Sequence, residues 1–430
     1  MGNLKFSVMM LRKEYKQSLI YTLTLALTIA VTFLFFNIID NRYLMENSVL
    51  NDVLTLPFST TLSFIIILFC AFMIIFANSF YVSRKTKEIA IMTMSGSSFL
   101  KITLYLFYQN MVMTVIAFPI GLLIGYLMSI GVNQVIYQIL HHSVSLFYIP
   151  MNAFGDTLIC ILAIIFTQLM YVSGYVYRHD IQYLLKQENT IDLRTNKLVP
   201  IPSFFYMIVY VFGIVLLCTT EYEVTSSLVP CFVGVLGIGG MIKYCFGSFF
   251  TYIKKKKYLK DSICLISFSY LYTSLRKSVF LIQIYAVSLS TMVAIMIQQY
   301  NSPREMVTAI IGFVVMMLLL LASLLYKYSM DIQSRKTSFY NLYKLGYSSQ
   351  SLVKIVLYEV IGFYGIVFLL PFIYVVVTLV LAYIHSIVSI GFVGILLGVQ
   401  ILFVVIVGVI TLIIYKNAVL QQVKEGMHYE

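Results

Sequence analysis

Charge is scarce in this chain: Asp, Glu, Lys and Arg make up 11% of its 430 residues, against about 25% in an ordinary soluble domain. Glycine is nowhere followed by lysine. The Gly-x-x-x-x-Gly-Lys-Ser/Thr loop that cradles nucleotide phosphates is therefore excluded throughout. No Cys-x-x-Cys pair occurs, and Cys70, Cys160, Cys218, Cys231 and Cys245 lie in or near apolar stretches. They read as small apolar residues, and neither a disulfide framework nor a metal site is implied. His141-His142 are adjacent, so their side chains point apart, and no His/Glu/Cys cluster has metal-ligand spacing.

What the chain has in abundance is apolar length. Sixty per cent of its residues are hydrophobic, and a helix needs about 20 of them in a row to cross a bilayer core. Ten such stretches are legible, at roughly 17–39, 61–82, 104–130, 155–177, 204–219, 227–250, 278–297, 306–327, 353–382 and 391–415. The fold class is an all-α polytopic membrane protein. The first apolar run is too long for the core of a cleavable signal and no small-residue cleavage pattern follows it, so span one is expected to stay in the mature protein.

The net charge of +12 is distributed in a way that argues against nucleic acid, because the basic residues occupy alternate loops. Arg12, Lys13 and Lys16 precede span one; Arg84, Lys85 and Lys87 follow span two; Arg178, Lys186, Arg194 and Lys197 follow span four; and Lys254 to Lys257 follow span six. Arg335, Lys336 and Lys344 follow span eight, and Lys416 and Lys424 follow span ten. By the positive-inside rule these loops and both termini are cytoplasmic, in a plasma membrane protein. The opposite loops are short and leave no length for an extracellular globular domain.

The chain repeats itself. Gly96 falls on Gly346 at an offset of 250, which also brings Tyr108-Gln109 onto Tyr358-Glu359. Upstream, Leu11-Arg12-Lys13, Ile20-Tyr21 and Leu25 meet Leu275-Arg276-Lys277, Ile284-Tyr285 and Leu289 at an offset of 264. Downstream, Tyr177-Arg178 and Lys186 meet Tyr415-Lys416 and Lys424 at an offset of 238. Three blocks in one order read as duplication. The expected organisation is a four-span module at 1–190, a central pair of spans at 191–257 and a second four-span module at 258–430. An even number of inserted spans keeps the modules parallel, related by a pseudo-two-fold axis along the membrane normal.

The linker between the second and third span of each copy has a mechanical logic. Arg84 to Met94 can form a short helix that Gly96 ends in a left-handed cap, with Ser97 or Ser98 capping the next helix. The second linker repeats this with Tyr340, Leu342 and Tyr343, then Gly346, then Ser348 or Ser349. The motif basic-x-x-x-Glu-Ile-x-Ile-x-x-x-Ser-Gly-Ser resembles the signature of the FtsX-like permeases, membrane subunits of ABC transporters that work with a separate ATPase. The ten-span plan further resembles the branch handling bacitracin and other antimicrobial peptides in Gram-positive bacteria.

The resemblance implies a non-catalytic subunit that binds no cofactor, with ATP-Mg held by a partner ATPase dimer. It also implies that Arg84, Lys85, Glu88, Ile89, Ile91 and Gly96, and Arg335, Lys336, Leu342, Lys344 and Gly346, couple that ATPase to the spans. Two departures stand out. Ser338-Phe339 replace Glu88-Ile89 in the second linker, and only about Gln298 to Glu305 is available where the peptide-resistance branch carries a large extracellular domain.

Other positions carry separate expectations. Glu359 lies inside span nine, an ionisable group at a depth that marks function by default, or else an acid satisfied by Lys354 or a neighbouring span. Its repeat partner Gln109 is neutral. Gly121-x-x-x-Gly125 and Gly394-x-x-x-Gly398 read as helix-packing devices, Lys254 to Lys257 as an anchor beside anionic membrane lipids, Lys243 as a snorkelling cation, and Pro119 and Pro371 as kinks. The leading function is a permease that extrudes, releases or senses a peptide or lipid-like substrate, with antimicrobial-peptide resistance as one outcome. The competing functions are a membrane sensor or scaffold signalling to a histidine kinase or cell-wall enzyme, and a secondary transporter, which a single buried acid at Glu359 does not favour.

Overall fold

A computed structural model describes residues 3–13, 15–41, 58–140, 145–178, 202–219, 224–247, 249–250 and 261–427. Every regular element among them is a helix: α1 (Asn3–Lys13), α2 (Tyr15–Asp40), α3 (Phe58–Arg84), α4 (Thr86–Met94), α5 (Phe99–Leu140), α6 (Met151–Arg178) and α7 (Ser203–Thr219). Next come α8 (Val224–Gly240, continued by a π turn at Met241–Cys245), α9 (Ser262–Lys277), α10 (Val279–Gln298), α11 (Pro303–Ser334), α12 (Lys336–Lys344), α13 (Ser349–Ile384) and α14 (Ile390–Met427). His141-His142, Lys186, Arg194, Lys197 and Lys254 to Lys257 lie outside the described residues.

Eight of these helices (α2, α3, α5, α6, α10, α11, α13 and α14) are long and apolar enough to cross a membrane. The stretches read as spans five and six are the shorter apolar helices Ser203–Thr219 and Val229–Cys245. The chain is an all-α polytopic membrane protein, as the sequence led us to expect. A buried backbone in lipid satisfies its own polar groups by remaining helical, so helices run on wherever apolar sequence continues. Both α5 and α13 pass through Pro119 and Pro371 without a break in helix. They also begin earlier than hydropathy placed them, because their first turns are made of linker residues rather than membrane residues.

The chain divides into two compact units. One comprises Met1–Asn196 with Ser302–Tyr326. In it α2 is gripped by α5, where a Cβ on Gly121 would meet the Ala26 carbonyl at 2.7 Å and one on Gly125 the Ala30 carbonyl at 2.8 Å. Backbone approaches that close require glycine. Amide pairs join neighbouring helices in the apolar interior: Asn37 donates to Asn133 at 3.2 Å and Asn110 to Asn78 at 2.8 Å. Tyr21, fully buried, stacks on Tyr81 at 4.9 Å. The start of α11 meets α3, where Ser323 Oγ donates to Met73 Sδ at 3.2 Å, two residues the offset of 250 equates.

The second unit comprises Lys197–Asn301 with Lys327–Glu430. The central pair α7 and α8 belongs to it. Tyr374 of α13 is the wedge that holds them, its hydroxyl donating to the Tyr210 carbonyl at 2.7 Å. Tyr210 in turn donates to the Leu370 carbonyl at 2.8 Å. Gly213 and Gly234 lie directly against the Tyr374 ring, where any Cβ would collide with it.

Candidate functional site

The linkers form as their sequences require. α4 ends in a Schellman motif: Ser97 N–H donates to the Met92 carbonyl and Gly96 N–H to that of Thr93, each at 3.0 Å. Tyr347 N–H to Leu342 and Gly346 N–H to Tyr343 repeat it at the end of α12, at 3.2 and 2.9 Å. Both motifs need a residue at positive φ, and Gly96 and Gly346 supply φ of 80° and 92°. Ser348 caps α13 by accepting from Ser351 N–H at 3.2 Å.

In the first linker the named residues divide into an inner and an outer set. Lys85, Ile89 and Ala90 are buried, and Ile89 and Ala90 pack with Val82, Ile102, Tyr105, Leu106 and Val172. Ile91 and Met94 face outward with about two thirds of their surface uncovered, at 64% and 65%. α1 braces the inner set: Phe6 lies 5.4 Å from the Tyr105 ring, and Ser7 Oγ donates to the Tyr105 carbonyl. Lys85 Nζ sits 2.7 Å from Glu88 Oε1, Tyr105 donates to Glu88 Oε2 at 2.6 Å, Gln109 Nε2 donates to Tyr105 at 2.8 Å, and Tyr81 donates to Gln109 Oε1 at 3.0 Å. Arg84 closes α3, and its side chain lies outside those described.

The second linker carries its charges differently. Arg335, at the junction of α11 and α12, is buried, and its Nη1 meets both carboxylate oxygens of Glu359 at 2.7 Å. Nη1 also donates to Tyr415 Oη at 3.1 Å, while Nη2 reaches the Tyr270 carbonyl at 3.3 Å and Thr273 Oγ1 at 3.4 Å. Burial alone would lower the guanidinium pKa; the facing Glu359 carboxylate overrides it and holds the value raised. Leu342 is half-buried, while Lys344 and Leu345 are exposed, Leu345 at 76%. The side chain of Lys336, the first residue of α12, lies outside those described.

Three expectations change. The carboxylate of Glu359 is met by Arg335 rather than by Lys354, because Arg335 sits on the inward face of its helix junction and the long fork of arginine reaches the span. Glu359 is also not a solitary buried charge. Lys327 and Asp331, both buried on α11, pair at 3.2 Å, and the Lys327 ammonium lies 3.9 Å and 4.0 Å from the Tyr328 and Phe363 ring centroids and bonds to Ser274. The signal was present in sequence: Lys327, Asp331 and Arg335 recur every four residues, one face of a helix that continues to Ser334. Finally, the two glycine pairs separate. Gly121 and Gly125 hold α2, whereas a Cβ on Gly394 or Gly398 would meet nothing within 4 Å among the described residues.

Comparison with known proteins agrees with this geometry. Residues 60–181, which hold α3 to α6 with the first linker near their start, match the family described as FtsX-like permease C-terminal. The chain is also 23% identical over 219 residues to the bacitracin export permease protein BceB of Bacillus subtilis strain 168. That similarity takes in 51% of this chain and 33% of the relative, so the matched region spans about a third of the curated protein's length. The linker helix with its left-handed glycine cap, set between apolar helices, thus lies inside the segment of this chain that is similar to the FtsX-like permease family.

Proposed function

We propose that the chain is the transmembrane, non-catalytic subunit of an ABC transporter, moved by a partner ATPase dimer that holds ATP-Mg. The observation that carries this reading is the paired linkers. Each follows an apolar helix, is braced from within by buried side chains, and leaves apolar residues uncovered, Ile91 and Met94 in one and Leu345 in the other. Uncovered apolar side chains beside basic residues fit a protein partner. The positive-inside rule supports a cytoplasmic position for the linker end and both termini. Closure of the ATPase dimer draws on the linkers and shifts the spans attached to them, in modules at 1–190 and 258–430. A bacitracin-like peptide or a lipid-like molecule suits the tyrosine- and phenylalanine-rich helices, and resistance to such a peptide is the physiological outcome.

One observation favours a second reading, a sensor or scaffold for a histidine kinase. α10 ends at Gln298 and α11 starts at Pro303, so no capture domain stands between them. The buried Lys327–Asp331 and Arg335–Glu359 pairs are mutually neutralised, which fits a mechanical clamp better than a proton path. Purified from its native membrane, the chain is predicted to bring down an ATPase and to hydrolyse no ATP alone. Hydrolysis by the isolated chain would contradict the assignment.

A further inference from the structure

The offset of 264 equates two buried tyrosines, Tyr21 on α2 and Tyr285 on α10, and a glutamine from the fourth helix of each copy faces each of them. In the first copy the link is direct: Gln168 of α6, itself buried, donates from Nε2 to the Tyr21 hydroxyl at 3.5 Å. In the second copy the glutamine is Gln400 of α14. The offset of 238 equates Gln400 with Leu162 and Gln168 with Ile406, so the two glutamines reach their tyrosines from different points along the helix. Gln400 is 0% exposed and Tyr285 5%, yet Gln400 Oε1, Gln400 Nε2 and Tyr285 Oη complete no hydrogen bond of ordinary geometry among the described residues. Turning the amide fully onto the phenol would not settle this. One end would be satisfied and the other left bare, because a primary amide donates from its nitrogen and accepts at its oxygen.

We infer that Gln400 and Tyr285 hold a water molecule between α10 and α14, in the interior of the second unit. Gln400 stands about 15 Å along α14 from Ile390 at about 1.5 Å per residue, half the depth of a hydrocarbon core about 30 Å thick. Bulk solvent does not reach that depth, and an amide left unpaired there is strongly destabilising. A lipid headgroup stays at the interface, and side chains covered this completely leave no opening for a larger guest. Water is small enough to be enclosed, and it both donates and accepts, so it completes the open ends of amide and phenol together. A buried water uses about two to four polar partners, and these three atoms supply them. The water does in the second copy what the Gln168–Tyr21 bond does in the first, tying the fourth helix to the first span through a polar contact. This depends on the fold alone, so it stands or falls separately from the function proposed above.

Radiolytic hydroxyl labelling of the full chain in lipid nanodiscs, read by mass spectrometry, tests it. A water held inside a protein becomes a hydroxyl radical in place and oxidises the side chains it touches. Tyr285 is predicted to be oxidised several times faster than Tyr326, which is as thoroughly covered, at 1%, but donates to the Ala77 carbonyl. When the chain is mixed into heavy-oxygen water just before the pulse, a held water leaves the ordinary isotope on Tyr285, whereas bulk solvent entering the site leaves the heavy one. Gln400→Leu, which installs the residue of the first copy, should bring Tyr285 down to the rate of Tyr326. In thermal melts Tyr285→Phe and Gln400→Leu should each lower the midpoint, and the double variant should lose less than the sum of the two. Oxidation of Tyr285 in the unaltered chain no faster than that of Tyr326, or immediate appearance of the heavy isotope on it, would overturn the inference whether or not the variants fold.

Discussion

At the scale of single residues the decisive interaction is Arg335 with Glu359, buried, with one guanidinium nitrogen 2.7 Å from both carboxylate oxygens. Removing one partner leaves an uncompensated buried charge, a loss of about 3–5 kcal/mol, whereas replacing both with apolar groups of similar volume is close to neutral. Glu359→Gln alone should therefore lower stability sharply. The double change with Arg335→Met should recover most of the loss in a thermal or denaturant melt of the detergent-solubilised chain, and a purely additive double variant would argue that the pair is not coupled. The cap glycines act through backbone alone: a Cβ on Gly96 or Gly346 would meet nothing within 4 Å among the described residues. Gly96→Ala should cost about 1–2 kcal/mol for the left-handed conformation, and Gly96→Asn, which tolerates it, distinctly less. Equal losses in Ala and Asn variants of the same helix, read by far-ultraviolet circular dichroism melts, would mean that φ is not the cause.

At the scale of elements, most of the helices and their order were legible, because long apolar runs leave the backbone no alternative in lipid. Stretch 278–297, for instance, became Val279–Gln298. The linker caps were legible too, since glycine after a short helix has few other uses. What could not be read were side-chain directions at helix junctions. Lys85 and Arg335 look like surface cations in sequence, yet a helix that runs to Ser334 rather than stopping near Lys327 turns Lys327, Asp331 and Arg335 inward together. The glycine pairs make the same point, as identical spacing gives one buried seam and one open face. Accordingly, Gly121→Leu should drive α5 off the Ala26 backbone and abolish folded expression, while Gly394→Leu should be tolerated. Gel-filtration profiles of the two variants decide between them, and equal failure would place a packing partner on the Gly394 face.

At the scale of the whole molecule, the two linkers and the helices around them are not equivalent. The central pair α7 and α8 packs within the second unit, held by Tyr374, and the junction charges are arranged differently in each copy. On the function proposed above, a push from the ATPase enters through the linkers, and the uncovered residues of α4, Ile91 and Met94, are where it is received. The most direct measurement is ATP hydrolysis by the ATPase proposed as its partner, with and without this chain in proteoliposomes. The comparison is between the unaltered chain and Ile91→Glu, a change at an exposed side chain that leaves the buried face of α4 intact. The account predicts that the unaltered chain alters the hydrolysis rate and that Ile91→Glu loses this effect while assembling in the membrane at the normal level. Normal coupling in Ile91→Glu and also in Met94→Glu would contradict it, leaving α4 an ordinary loop between two spans.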